Sequence, residues 1–293
     1  MSTTYKAALL RALAVIACEN ESGSIPLERI ASAFVRFYWD QTIRFGLRQA
    51  PQITKEPVVL RQIRATAERY NVRDYRDLPL AVLAKISAGL VTTITHDVIP
   101  RFHHSKPESM MELYEWSEGD PALRLFPGAG SFLAERRAAI EVVANYFWAR
   151  RLEKWNHLAP RVIEKVEGAR PPRGNVRRYL ALLLSVDPHC FYCERPLSND
   201  SRAHVDHAIS WNFLLEDYLW DLVPACASCN SSKSDRLPPE PFIEKLARRN
   251  FGRIISLAPP AQLHGADNLR KYYDAARSVE WPVWSGGQIA RER

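Results

Sequence analysis

The sequence predicts a mostly α-helical chain whose last third carries a small module of two strands and a helix, stapled by zinc. Three observations carry that expectation. Apolar residues recur at helical spacing through the first half of the chain. Four of the five cysteines form two Cys-x-x-Cys pairs, Cys190/Cys193 and Cys226/Cys229. Between the pairs lies His204-Val205-Asp206-His207, a polar cluster in a stretch that alternates like a strand.

The N-terminal part reads as four helices. Residues 5–18 place Leu9, Leu10, Leu13 and Ile16 at helical spacing, and Ser22-Gly23-Ser24 breaks the pattern. Pro26 opens a second helix with Ile30, Phe34 and Tyr38 on one face. A third covers 57–70, with Val59, Ile63, Ala67 and Tyr70 inward and Arg61, Arg64 and Arg69 outward. A fourth covers 79–95. Residues 1–105 thus read as a helical domain, of winged-helix or another small helical type.

Residues 106–175 read as loops followed by a long connecting helix. Proline and glycine punctuate 100–132, notably Pro107, Pro121 and Pro127-Gly128-Ala129-Gly130. The helix covers about 134–157, with Ile140, Val143, Phe147 and Trp155 apolar and Arg136, Arg137, Arg150 and Arg151 polar. The link Ala169-Arg170-Pro171-Pro172-Arg173-Gly174 leads to a short helix at 177–185 and to a module spanning 176–240. Residues 241–293 add helices that pack on the module. One covers 241–250, with Phe242, Ile243 and Leu246 opposite Lys245, Arg248 and Arg249, and another covers 267–278. Trp281 and Trp284 tie down the tail.

Charge and cysteine use narrow the function. Lys plus Arg is 40 against 33 for Asp plus Glu, and the formal charge is +7, which suits a polyanionic partner. No apolar run approaches the ~18 residues of a membrane span. The chain therefore reads as soluble and cytoplasmic, with no membrane partner. The paired cysteines read as a metal site rather than disulfides, and Cys18 as a buried thiol of the first helix.

Four thiolates close a tetrahedral shell, which makes the zinc structural. The stretch between Cys193 and Cys226 is too long for a single finger loop but suits a two-stranded ribbon. Asp206 and His207 then stand at a strand end, and Asn230 follows the last cysteine, where a helix would start. Asp206 and Asn230 would converge as oxygen ligands for a hard cation, with His207 beside them. His204 shares Asp206's side of the strand and reads as packing more than as a partner that supports Asp206 from behind. Trp211 and Trp220 read as core under the ribbon. His103-His104 and His189 read as surface or hydrogen-bonded histidines.

Residues 187–240 resemble the HNH, or ββα-metal, nuclease family in its four-cysteine form. The likeness rests on His204-Val205-Asp206-His207-Ala208-Ile209-Ser210-Trp211, on Leu222-Val223-Pro224-Ala225-Cys226, and on Cys229-Asn230-x-x-Lys233-x-Asp235-x-Leu237-Pro238. The resemblance implies an endonuclease acting on DNA. In it His207 is the general base, and Asp206 and Asn230 hold one Mg²⁺ or Mn²⁺ at the scissile phosphate. Lys233 touches a phosphate, and the products carry 5′-phosphate and 3′-hydroxyl ends. Arg177/Arg178 and Arg248/Arg249 flank the module and are further candidates for phosphate contact. One position departs from the family. Asp221 stands where an asparagine usually braces the loop that carries the base, and an aspartate accepts a backbone N–H but cannot donate to a carbonyl. Asn212 is the candidate to supply the missing half. The departure keeps a second reading open, a catalytically weak zinc-ribbon module that binds nucleic acid. Similar HNH proteins with helical extensions look like parts of bacterial restriction or phage-defence systems, in which the N-terminal half would meet other subunits.

Overall fold

Alanine and leucine dominate the first helix, α1 (Thr4–Ala17), which buries Leu9, Leu13 and Ile16. In this computed structural model the described residues are 4–19, 23–50, 56–102, 112–156, 159–168, 171–200, 202–251 and 268–286. His103-His104, Pro107 and Ala169-Arg170 lie outside them. The chain divides into two units, Met1–His157 with Val162–Ala169, and Leu158–Arg161 with Arg170–Arg293.

In the first unit, β1 (Ser24–Pro26) runs directly into α2 (Leu27–Trp39). Pro26 has no N–H to leave unpaired, so it suits this helix entry. Ile30, Phe34 and Tyr38 form a buried stripe at a spacing of four, and the Tyr38 hydroxyl donates to Thr4 Oγ1 at 3.1 Å. A wide π-type turn at Asp40–Arg44 follows. The third helix, α3 (Val58–Tyr70), buries Val59, Ile63 and Ala67. Tyr70, expected inward, is exposed at its frayed end, where Asn71 takes the left-handed conformation that closes a helix. Then come α4 (Leu80–Asp97) and the single turn α5 (Ile99–Phe102).

The stretch expected as loops contains two strands, β2 (Tyr114–Glu115) and β3 (Ala122–Leu125). β3 pairs antiparallel with both β1 and β2. Segments this short show no period in sequence, so only long-range pairing defines them. A short helix, α6 (Ala129–Glu135), closes that stretch, and the expected long helix is α7 (Arg137–Glu153), which starts after a break at Arg136. α7 turns Ala144, Trp148, Ala149 and Leu152 inward. Val143 and Phe147, expected on the apolar inner face, are exposed, Phe147 at 66%. Trp148 sets the phase: it is fully buried and donates through Nε1 to Gln49 Oε1 at 3.2 Å. The unit closes with α8 (Val162–Glu167). Cys18, expected to be buried, is exposed just beyond the end of α1.

In the second unit a 3₁₀ turn at Val176–Tyr179 leads into α9 (Leu180–Val186). β4 (Ala203–His207) and β5 (Leu222–Cys226) pair antiparallel, from Ala203 opposite Cys226 to His207 opposite Leu222. The short α10 (Trp211–Leu214) lies between them, and α11 (Ala227–Lys233) follows β5 without a loop. This is the ββα order. Leu183 and Val186 of α9 pack against Leu219 and Leu222. α12 (Glu240–Arg249) and α13 (Leu269–Ser278) share a core with the ribbon that includes Phe191, Phe213, Trp220, Leu246, Tyr273 and Trp281. Each such buried side chain contributes about 1.5–3 kcal/mol. Trp281 Nε1 donates to Asp235 O at 2.8 Å and Trp284 Nε1 to Ser232 Oγ at 3.1 Å, which fastens the tail to α11 and the turn after it. Among the described residues, no helix is long and apolar enough to cross a membrane.

Candidate active site and metal centre

Cys190 and Cys193 sit on a tight turn ahead of β4. Cys190 N donates to Arg195 O at 2.8 Å, and Glu194 N donates back to Cys190 O at 2.9 Å. Cys226 ends β5 and Cys229 lies one turn into α11. The four sulfurs all lie within 4.8 Å of one another, and Cys193 Sγ is 3.8 Å from Cys226 Sγ. A tetrahedral ion with Zn–S bonds of about 2.3 Å requires sulfur–sulfur edges of about 3.8 Å. Burial pushes the Cys190 thiol up; burial and the neighbouring sulfurs push the Cys229 thiol up further. At Cys226 burial is outweighed by hydrogen bonds with Ser228 and the neighbouring cysteines, which draw the thiol down to about 6. The bare cluster thus favours one thiolate and resists ionisation at Cys190 and Cys229, a cost that a divalent cation removes. The donors therefore fit a structural zinc that staples the ribbon to α11.

A cleft of about 260 Å³ opens beside this staple. Asp206, His207 and Asn230 line it, with Arg173, Trp211 and Asp235. Asn230 closes the first turn of α11 rather than opening the helix, because the helix begins immediately after Cys226. Asp206 Oδ2 accepts from the Tyr192 hydroxyl at 2.6 Å and pairs with Lys233 Nζ at 3.1 Å. Burial, and then the Asp206 charge, push Tyr192 well above its ordinary range, so it stays a donor. Among the described residues, Asp206 Oδ1 and the Asn230 side-chain oxygen accept no hydrogen bond, and both residues line the cleft. Two such oxygens suit Mg²⁺ or Mn²⁺, hard cations that keep several waters.

Lys233 does not offer its ammonium to a phosphate, as had been expected. Its side chain is 0% exposed, and Nζ donates to His207 O at 2.7 Å while pairing with Asp206. It braces the two catalytic candidates from inside. Arg177 and Arg249 are likewise committed. Arg177 donates to Ala203 O and Asp200 O, both at 3.0 Å, and Arg249 to Leu222 O at 2.7 Å. Burial pulls Arg249 down to about 10. Both pin the ribbon ends. Arg178 and Arg248 stay at the surface. His204 is half-buried and does not line the cleft, and His189 pairs with Asp187 at 2.8 Å.

Two carboxylates lie near His207, the candidate base. His207 Nε2 lies 2.8 Å from Asp217 Oδ1, and Asp217 Oδ2 accepts from Gly174 N at 2.8 Å. The hydrogen bond to His207 holds the Asp217 carboxyl below its usual range. Nothing in the sequence singled out Asp217; only the fold of the loop returns it to His207. Asp221 is fully buried, and Oδ1 accepts from Ile209 N at 2.8 Å while its backbone carbonyl accepts from Ala208 N at 2.9 Å. The acceptor half of the expected loop brace is thus present. Oδ2 is buried with no hydrogen-bond partner among the described residues, and burial pushes the carboxyl up to about 7. Asn212 does not supply the other half, because its Nδ2 donates to Asp235 Oδ2 at 3.1 Å. Ser210 Oγ donates to the other Asp235 oxygen.

Residues 190–236 match the family model described as HNH endonuclease. No curated protein and no solved structure matches the chain. Together, the ββα order, the four adjacent sulfurs and this match show that the second unit carries an HNH endonuclease domain at residues 190–236, with cysteines grouped as in zinc-stapled forms.

Proposed function

We propose that the protein is a metal-dependent endonuclease that hydrolyses DNA phosphodiester bonds, nicking or cutting both strands, with His207 as general base. The observation that carries this reading is the convergence of Asp206, His207 and Asn230 on one cleft inside the HNH domain. Donating Nε2–H to Asp217 leaves the His207 Nδ1 lone pair to take a proton from the attacking water. Asp206 Oδ1 and the Asn230 oxygen would hold Mg²⁺ or Mn²⁺. Such an ion, when bound, stabilises charge on the scissile phosphate and the leaving 3′-oxygen. Lys233 and Tyr192 hold the Asp206 carboxylate in a fixed orientation. The chain's positive balance suits DNA.

The unpartnered Asp221 oxygen supports a second reading, a weak or inactive zinc-ribbon module that binds nucleic acid without cutting it. A plasmid assay separates the two. Purified wild type with Mg²⁺ or Mn²⁺ is expected to give nicked or linear product. EDTA or His207→Ala should abolish it, while zinc content stays unchanged. Nucleic-acid binding with intact supercoiled plasmid in every lane would favour the second reading. The setting that the resemblance implies is restriction or phage defence, with partner subunits met through the N-terminal half. Toxicity on overexpression that His207→Ala relieves would support it, and a harmless wild type would count against it.

A further inference from the structure

With Lys233 turned inward, the cleft has a single cation on its walls among the described residues, Arg173. The two carboxylates that share those walls, Asp206 and Asp235, would repel a phosphodiester unless a cation offsets them. Arg173 lies upstream of the residues that match the HNH model, so the match assigns it nothing. Its guanidinium carbon stands 4.8 Å from the centroid of the Trp211 ring. Trp211 is itself buried, so it offers that guanidinium a fixed platform. Stacking uses the face of the guanidinium and leaves the N–H donors on its edge available. Among the described residues, no hydrogen bond or ion pair engages those donors.

The backbone beside Arg173 is also anchored. Gly174 N donates to Asp217 Oδ2, the carboxylate that holds His207. A Cβ at Gly174 would collide with that oxygen, so glycine permits the approach. One two-residue strap therefore fixes the base through Gly174 and places a cation over the cleft through Arg173.

We infer that Arg173 is the phosphate-binding arm of this cleft. Trp211 holds the guanidinium plane, and its edge donates to the non-bridging oxygens of the phosphodiester. The inference rests on the endonuclease reading for the identity of the ligand. The test measures anisotropy of a short fluorescein-labelled DNA duplex with the full chain, carried in the His207→Ala background so that the probe survives. Adding Arg173→Ala is expected to weaken binding about fivefold and to reduce the slope of log affinity against log salt by about 0.9. Arg173→Lys should restore the slope but not the full affinity, because the planar fork is lost. Arg270→Ala, which removes an equal charge from an exposed position, should change neither. Arg173→Gln repeats the test if Arg173→Ala lowers zinc content. Affinity and slope that respond to Arg173→Ala no more than to Arg270→Ala would overturn the inference. Plasmid cleavage by wild type separates the two claims. Arg173-dependent binding without cleavage keeps this inference and sinks the nuclease reading. Cleavage with Arg173-independent binding does the reverse, and no binding at all removes both.

Discussion

Asp221 carries an energetic cost that an asparagine in its place would not. Its carboxyl is pushed up to about 7 in the folded chain, against about 3.9 for a free aspartate. The folded state therefore keeps a proton that the unfolded state releases above about pH 4. The stability tied to that proton is complete below the unfolded value and is lost as pH rises through about 7. Asp221→Asn keeps an oxygen for Ile209 N and never ionises. It should raise the Tm at pH 8 by several degrees, equivalent to about 2–4 kcal/mol, with the gain shrinking at pH 5. Melting curves of the zinc-loaded protein across that range decide it. An equal gain at both pH values would mean that ionisation of Asp221 is not the cause. The motif made position 221 legible as a brace, but not that one of its oxygens is stranded, because stranding depends on what surrounds the side chain. Lys233 illustrates the same limit. Its place after Asn230 marked it as functional, while the direction of its ammonium came from the packing of α11 on β4.

At the scale of elements, α7 shows where periodicity runs out. Val142, Val143, Tyr146 and Phe147 form one apolar face and Ala144, Trp148, Ala149 and Leu152 another, so hydrophobic spacing offers two phases on nearly opposite sides of the helix. The structure buries the second. Trp148→Ala should cost about 3–5 kcal/mol, whereas Phe147→Ser, one residue away, should stay within about 0.5 kcal/mol. Chemical denaturation of both variants checks this, and similar losses would mean that the outer face is covered in solution. The ribbon behaved differently. Its first strand, β4, alternates apolar and polar residues as far as Asp206, its second ends at Cys226, and its register leaves Cys226 opposite Ala203. A slip of one residue would move Asp206 to the other face and pull the sulfurs apart, so a single register satisfies both constraints.

For the molecule as a whole, a zinc ion on the four cysteines would decide whether the second unit keeps its core. Trp220, Trp281 and Trp284 are buried around the ribbon, and the tail that carries two of them is fastened to α11 and the turn beyond it. Cys226→Ser or prolonged chelation should therefore remove more than a metal. The near-UV signal of these tryptophans should collapse together with DNA cleavage, because structural zinc supplies folding free energy directly. Retention of that signal in a protein shown to be zinc-free would mean that hydrophobic packing alone sustains the unit.

The four-cysteine cluster, the helical character of the N-terminal part, and the grouping of Asp206, His207 and Asn230 were legible in local sequence. Each follows from local spacing: thiolates two residues apart within each pair, apolar residues repeating every three to four, and a strand end facing a helix across a short ribbon. Packing in three dimensions chose which cation faces the cleft, which carboxylate holds His207, and which phase of α7 is buried. Arg173, Asp217 and Gly174 come together through folded loops, and their contacts depend on backbone direction and desolvation, which no pattern of residue types encodes.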